Sequence, residues 1–166
     1  MEHIELDIPY MFVDSLTSLT ERIAGFSVRV ASCGKEINGA EAIFIQSKGV
    51  FRSRMVFQME TSLERAVLNG MKAGMDVSSE MKRLYLGEFV NIISGHVLTS
   101  INNAVGQTSR LTLPTVGEEN MSGDTPYEHR CELYFTSEHG NMELQLNYEL
   151  STAACVCLIS SDERKG

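Results

Sequence analysis

Residues 84–98 read Leu84-Tyr85-Leu86-Gly87-Glu88-Phe89-Val90-Asn91-Ile92-Ile93-Ser94-Gly95-His96-Val97-Leu98. Leu86, Val90, Ile93 and Val97 recur at steps of three and four and continue to Ile101, the period of one face of an α-helix. Tyr85, Phe89, Ile92 and His96 lie beside that stripe. A helix apolar over so wide an arc packs against something broad, such as a sheet. Into the arc the sequence sets Glu88 and Asn91, three apart and therefore neighbours on one helical face. Gly95 follows one turn further along nearly the same line. It removes side-chain bulk there and costs about 1 kcal/mol of helix stability relative to Ala. A carboxylate and a carboxamide beside a small-residue gap form an approachable polar patch.

Around this helix the pattern alternates between helical and extended periods. The helix itself is expected from Ser78 or Ser79 to about Asn103. Before it, Thr61 or Ser62 caps a shorter helix, with Glu64 near its start, running to about Gly74. A first helix over residues 9–24 follows from Ile8, Phe12, Leu16, Leu19 and Ile23, with Gly25 placed to end it. Three strands follow that helix. Ser27 to Cys33 alternates, Asn38-Gly39 signals a hairpin, and Ala42 to Ile45 is the second strand. Phe51 to Met59 sets Phe51, Ser53, Met55, Phe57 and Met59 against Arg52, Arg54, Val56 and Gln58. The two arginines point to a partly wet outer face. After the long helix come strand signals at 109–115, 130–136 and 142–149, with a polar loop at 117–126. The order is helix, three strands, two helices, three strands, and the halves echo each other. The fold class is therefore α+β, a six-stranded, mainly antiparallel sheet with long helices packed on one side. Residues 1–160 are expected to form a single domain, and 161–166 a frayed C-terminal tail.

Composition narrows the function. The chain has 166 residues, 43% of them apolar and 22% charged, which excludes collagen, coiled coil and bulk disorder. A net charge of −8 argues against nucleic acid and against an anionic membrane as partners, since both need a basic face. No segment approaches the roughly 20 apolar residues of a membrane span. The acidic beginning, Met1-Glu2-His3-Ile4-Glu5, lacks the basic region and apolar run of a signal peptide, so a cytoplasmic location is expected. Cys33, Cys131, Cys155 and Cys157 form no C-x-x-C pair and are expected as buried small apolar residues rather than a thiol or metal site. Nothing has the spacing of a Mg²⁺ or Zn²⁺ cage. Met55, Met59, Met71, Met75 and Met81 are expected to fill core space, the alternative being that they line an adaptable groove.

Two other residue patterns compete with the Glu88–Asn91 pair. Glu138 and Asn141 repeat the spacing, but they flank His139-Gly140, a hairpin turn. His96 lies five residues beyond Asn91, about 140° around the helix, and is expected to pack elsewhere. Tyr85 only flanks the patch.

Pro114 is one of three prolines and follows Asn91 after 22 intervening residues, since 114 − 91 = 23. Glu-x-x-Asn, 22 residues, then Pro resembles the signature of the CheC/CheX/FliY family of chemotaxis phosphatases, and Gly87 to Gly95 is similar to the family's Glu-x-x-Asn-x-x-x-Gly segment. The order of elements over residues 8–150 fits as well. The first helix, where CheC-like members carry a second motif, holds Glu21-Arg22-Ile23-Ala24, with Ala for Asn, so a single site as in the CheX branch is expected. Two positions depart from the family: Leu84 stands where Asp or Ser is common, and Thr112-Leu113-Pro114 replaces Ser-x-Pro.

The resemblance implies hydrolysis of phosphoaspartate on a CheY-like response regulator. Such a transfer has a loose transition state, so positioning and charge stabilisation do most of the catalysis. Asn91, a donor and acceptor, would orient the attacking water. Glu88 would engage a lysine of the partner. Leu84, Gly95 and Pro114 would flank the site or touch the partner. No cofactor is expected in this chain, the Mg²⁺ belonging to the response regulator, and a homodimer is expected. A non-catalytic adaptor that docks a response regulator or flagellar-switch component is the alternative. A ligand-sensing α+β domain is a weaker third reading.

Overall fold

The computed structural model describes residues 4–34, 37, 41–71, 77–117, 126–152 and 156–159. In chain order the elements are β1 (Ile4–Leu6), α1 (Ile8–Ala24), β2 (Arg29–Ala31), β3 (Ile43–Lys48), β4 (Phe51–Met59), α2 (Thr61–Gly70), α3 (Ser79–Val105), β5 (Arg110–Leu111), β6 (Thr115–Val116), β7 (His129–Ser137), β8 (Gly140–Leu150) and β9 (Val156–Leu158). The architecture is α+β, as read from the sequence, with seven rather than six strands in the main sheet. The difference arises at 109–115. Residues 112–114 leave the ladder and split the expected strand into β5 and β6, both paired with β3.

The main sheet runs β2-β7-β8-β4-β3-β5, all antiparallel. This order is palindromic. The central pair β8·β4 is flanked by its own hairpin partners, β7 and β3. The short strand after each helix pairs with the hairpin of the other half: β2 follows α1 and joins β7, and β5 follows α3 and joins β3. Both long helices end on a glycine in the left-handed region, Gly25 at φ 78° and Gly106 at φ 70°, a conformation that a side chain disfavours. The echo between halves is thus a real pseudo-symmetry.

Alternation on β4 is complete: Phe51, Ser53, Met55, Phe57 and Met59 are buried under the helices, and the intervening residues are half-buried on the outer face. There Arg52 Nε donates to Glu149 Oε1 at 2.6 Å and its guanidinium lies over the Tyr127 ring, 3.8 Å from the centroid. α3 is apolar nearly all round because β3 and β5 lie under it and α1 and α2 beside it. Ser15 on α1 donates to the Ile93 carbonyl at 3.1 Å across the helix–helix contact. Phe12, Leu16, Phe57, Phe89, Ile93 and Leu144 are fully buried between the layers.

Other expectations change. α1 begins at Ile8, capped by Asp7, whose carboxylate accepts from Tyr10 N–H at 3.0 Å. The strand expected over 27–33 is only Arg29–Ala31. α2 ends at Gly70. β1 and β9, absent from the sequence reading, pair in parallel as a separate two-stranded sheet. Cys33 is exposed and Cys131 and Cys157 half-buried, so they are not core residues, and His96 is exposed rather than packed. Met55 and Met59 are core, but Met81 is exposed. The Asn38-Gly39 turn, most of the 117–126 loop, the end expected for α2 near Gly74, Met75, Cys155 and the 161–166 tail lie outside the described residues.

Candidate functional site

Glu88 and Asn91 open into a groove of about 630 Å³ between the N-terminal half of α3 and the 113–116 segment. Its walls include Glu80, Met81, Arg83, Leu84, Glu88 and Asn91 from α3, and Leu113, Pro114 and Val116 from the facing segment. Glu88 is exposed and Asn91 half-buried. The helix that carries them is fixed at both ends. Ser78 caps its start, accepting from Met81 N–H at 3.2 Å, and Gly106 closes its end.

The facing segment is held as firmly. Thr112 N–H donates to the Gln46 carbonyl at 2.8 Å, and Gln46 N–H donates back to Thr112 Oγ1 at 3.0 Å. Thr115 and Val116 then pair with Phe44 and Ile43. Between these anchors Pro114 comes down on α3 at Gly87, where a Cβ would sit 3.2 Å from the Pro114 Cγ. Gly87, not Gly95, is therefore the small residue the groove depends on. A Cβ at Gly95 would meet only Leu111 Cδ1, at an ordinary 3.8 Å, and Gly95 lies outside the groove wall. Of the five residues singled out in the sequence, Glu88, Asn91, Leu84 and Pro114 come together and Gly95 does not.

Glu80, Arg83 and Leu113 are groove residues that the sequence reading did not single out, whereas Met81 lines the groove as the methionine alternative allowed. Leu113 had a signal: a large apolar residue before proline is held extended, here with its side chain in solvent. Arg83 donates to Glu41 at 2.7 Å. That hydrogen bond, opposed by slight burial and aided by the positive charge, holds the Glu41 carboxyl below its ordinary range. The cation of the groove wall is thus engaged, while Glu80 and Glu88 have no ion pair among the described residues. One turn of helix then presents an unpaired carboxylate and a carboxamide at a rim shared with Glu80, the engaged Arg83 and the apolar Met81, Leu84 and Leu113. Such a face can meet a cation and orient a water or a polar ligand.

The sequence-reading counterparts fall elsewhere. Glu138 lies in the β7–β8 turn, and Asn141 donates to Glu60 Oε1 at 2.8 Å, a structural contact. Glu21 and Ala24 lie at the C-terminal end of α1, with Ala24 packed against Gly70. They are not the symmetry mates of the α3 pair. The two helix caps are 106 − 25 = 81 residues apart, which puts the mates of Glu88 and Asn91 at Asp7 and Tyr10. Among the described residues no group of three or more His, Cys, Asp or Glu has metal-binding proximity.

No family model and no curated relative matches the sequence. Solved structures do match. The chemotaxis protein CheX from Vibrio vulnificus superposes with a TM-score of 0.71 at 17% identity, over 87% of this chain and 97% of that one. A CheC-like superfamily protein from a Shewanella species gives 0.66 at 17%, over 87% and 98%. The Borrelia burgdorferi CheX–CheY–BeF3–Mg²⁺ complex gives 0.65 at 18%, over 86% and 98%. The chain has the fold of the CheX and CheC-like chemotaxis proteins.

Proposed function

We propose that this protein, built on the CheX and CheC-like fold, is a phosphoaspartate phosphatase of a CheY-like response regulator. The observation that carries the reading is the exposed Glu88–Asn91 turn of α3, facing a groove whose opposite wall is pinned by Pro114 on Gly87. The solved CheX–CheY–BeF3–Mg²⁺ complex of a protein with this fold supports the choice of partner.

Asn91 orients the attacking water in line with the phosphorus, its carboxamide accepting from the water and donating to oxygen. Glu88 pairs with a lysine of the response regulator and sets the register of the two proteins. The Mg²⁺ is the regulator's. An acyl phosphate needs positioning more than base strength, so a carboxamide suffices. Response regulators work in the cytoplasm, and this reading puts the protein there; among its described residues no helix is long and apolar enough to cross a membrane. A homodimer belongs to the same reading. Among the described residues β2 is an edge strand of the main sheet with Val30 half exposed, an edge that a second copy would cover in this reading. Light scattering at micromolar concentration decides the mass.

The test is phosphate loss from phosphorylated CheY-like regulators with Mg²⁺. Wild type shortens the lifetime of the phosphoaspartate. Asn91→Ala slows that step by about 10² or more while docking stays nearly intact, the scale of one positioned transition-state contact. Wild type that binds the regulator and leaves its lifetime unchanged makes the protein an adaptor instead.

A further inference from the structure

Six large apolar side chains are exposed among the described residues, and three of them rim this one groove: Met81 at 42%, Leu84 at 68% and Leu113 at 88%. The others, Tyr10, Val30 and Ile159, lie on α1, on β2 and after β9. Glu80, Leu84 and Glu88 are four residues apart in turn, so they share a helical face with an apolar position between two carboxylates. Leu113 is held out from the opposite wall by a segment tied down at Thr112, Pro114 and Thr115. A side chain presented on so fixed a backbone loses little freedom when a partner covers it.

We infer that Leu84 and Leu113 are the specificity determinants of the groove. They select a response regulator whose docking face carries apolar side chains beside the cation that meets Glu88. The inference rests on the proposed function and deepens it. Charge complementarity fixes the partner's chemistry: the groove's cation is committed to Glu41, and its two free carboxylates call for lysine or arginine opposite them. The apolar rim then adds what charge alone lacks, a contact that salt does not screen and that rejects a regulator with a polar side chain at that place.

The experiment uses a panel of CheY-like receiver domains charged with BeF3⁻ and Mg²⁺ for binding, and phosphorylated for turnover. Leu84→Ser and Leu113→Ser each weaken binding of the regulator that wild type prefers by about 10- to 100-fold, the scale of burying one leucine side chain. They raise KM in step, while turnover at saturating regulator changes by less than about threefold, because neither residue reaches the phosphoryl group. If wild type binds a regulator and both variants bind it within threefold, this inference is overturned and the phosphatase reading stands. If wild type engages no receiver domain, both are overturned. Should wild type be a dimer that Leu84→Ser or Leu113→Ser dissolves, the rim holds a second copy of the chain and the inference fails.

Discussion

Two glycines of the same helix, eight residues apart, should respond oppositely to the same methyl group. In a helix interior Gly→Ala gains about 1 kcal/mol from propensity alone. At Gly95 nothing opposes that gain, since the new Cβ meets Leu111 Cδ1 at an ordinary 3.8 Å. Gly95→Ala is therefore expected to stabilise by about 0.5–1 kcal/mol. At Gly87 the new Cβ stands 3.2 Å from Pro114 Cγ and 3.6 Å from its Cβ, so the proline must give by a few tenths of an ångström. It has little room, being held between the Thr112–Gln46 hydrogen bonds and the β6–β3 pairing. Overpacking of this kind costs about 1–3 kcal/mol, which cancels or exceeds the helical gain. The two variants should thus differ by about 2 kcal/mol in urea unfolding. On the proposed function, Gly87→Ala should also lower phosphatase activity by pushing the Pro114 wall off α3. Equal stabilisation by both substitutions would refute the assignment of Gly87 as the contact that sets the groove.

Two further outcomes test the frame around the site. Ser109 is buried, and its hydroxyl accepts from Phe51 N–H at 3.0 Å, so Ser109→Ala leaves that amide unpaired and should cost about 1–3 kcal/mol by urea midpoint. Burial, together with the neighbouring Cys131 and Asp7, pushes the Tyr148 phenol up to about 12. Between pH 10 and 12 the unfolded chain therefore loses this proton before the native one does. The native state binds more protons there, and stability falls as pH rises, by up to about 1.4 kcal/mol per unit. Tyr148→Phe should flatten that part of the stability–pH curve, and an unchanged slope would remove Tyr148 as its source.

What the sequence makes legible is local and periodic. α3 declares itself because its apolar stripe persists from Leu86 to Ile101, and β4 because its alternation is unbroken over nine residues. Glu88 and Asn91 follow from the helix, since spacing alone makes them neighbours. The opposite wall is another matter. That Pro114 touches Gly87 rather than the region of Gly95 depends on where residues 112–114 leave the sheet, and no local pattern records that departure. β1 and β9 are three residues each and pair across 156 − 4 = 152 positions of sequence. Neither length nor period distinguishes them from loop. The proline after Leu113 signals an extended backbone, but nothing local records that the split into β5 and β6 turns its side chain outward.

The palindromic sheet carries two unequal helices, and the proposed site belongs to the longer one. Moving Glu88 and Asn91 back by 81 positions reaches Asp7 and Tyr10, at the very start of α1. There the carboxylate is occupied: Asp7 caps the helix by accepting from Tyr10 N–H at 3.0 Å. α3 is longer by 27 − 17 = 10 residues, and all of the excess lies at its N-terminus, since the C-terminal caps coincide under the symmetry. Those added turns take the capping duty away to Ser78 and leave Glu88 well inside the helix, with its own backbone amide bonded within the helix and its side chain free to face outward. They also carry Glu80, Met81, Arg83 and Leu84, so the extension builds one wall of the groove as it frees the carboxylate. Restoring an Asn at position 10 would not recreate a second site, because the turns that would flank it do not exist in α1.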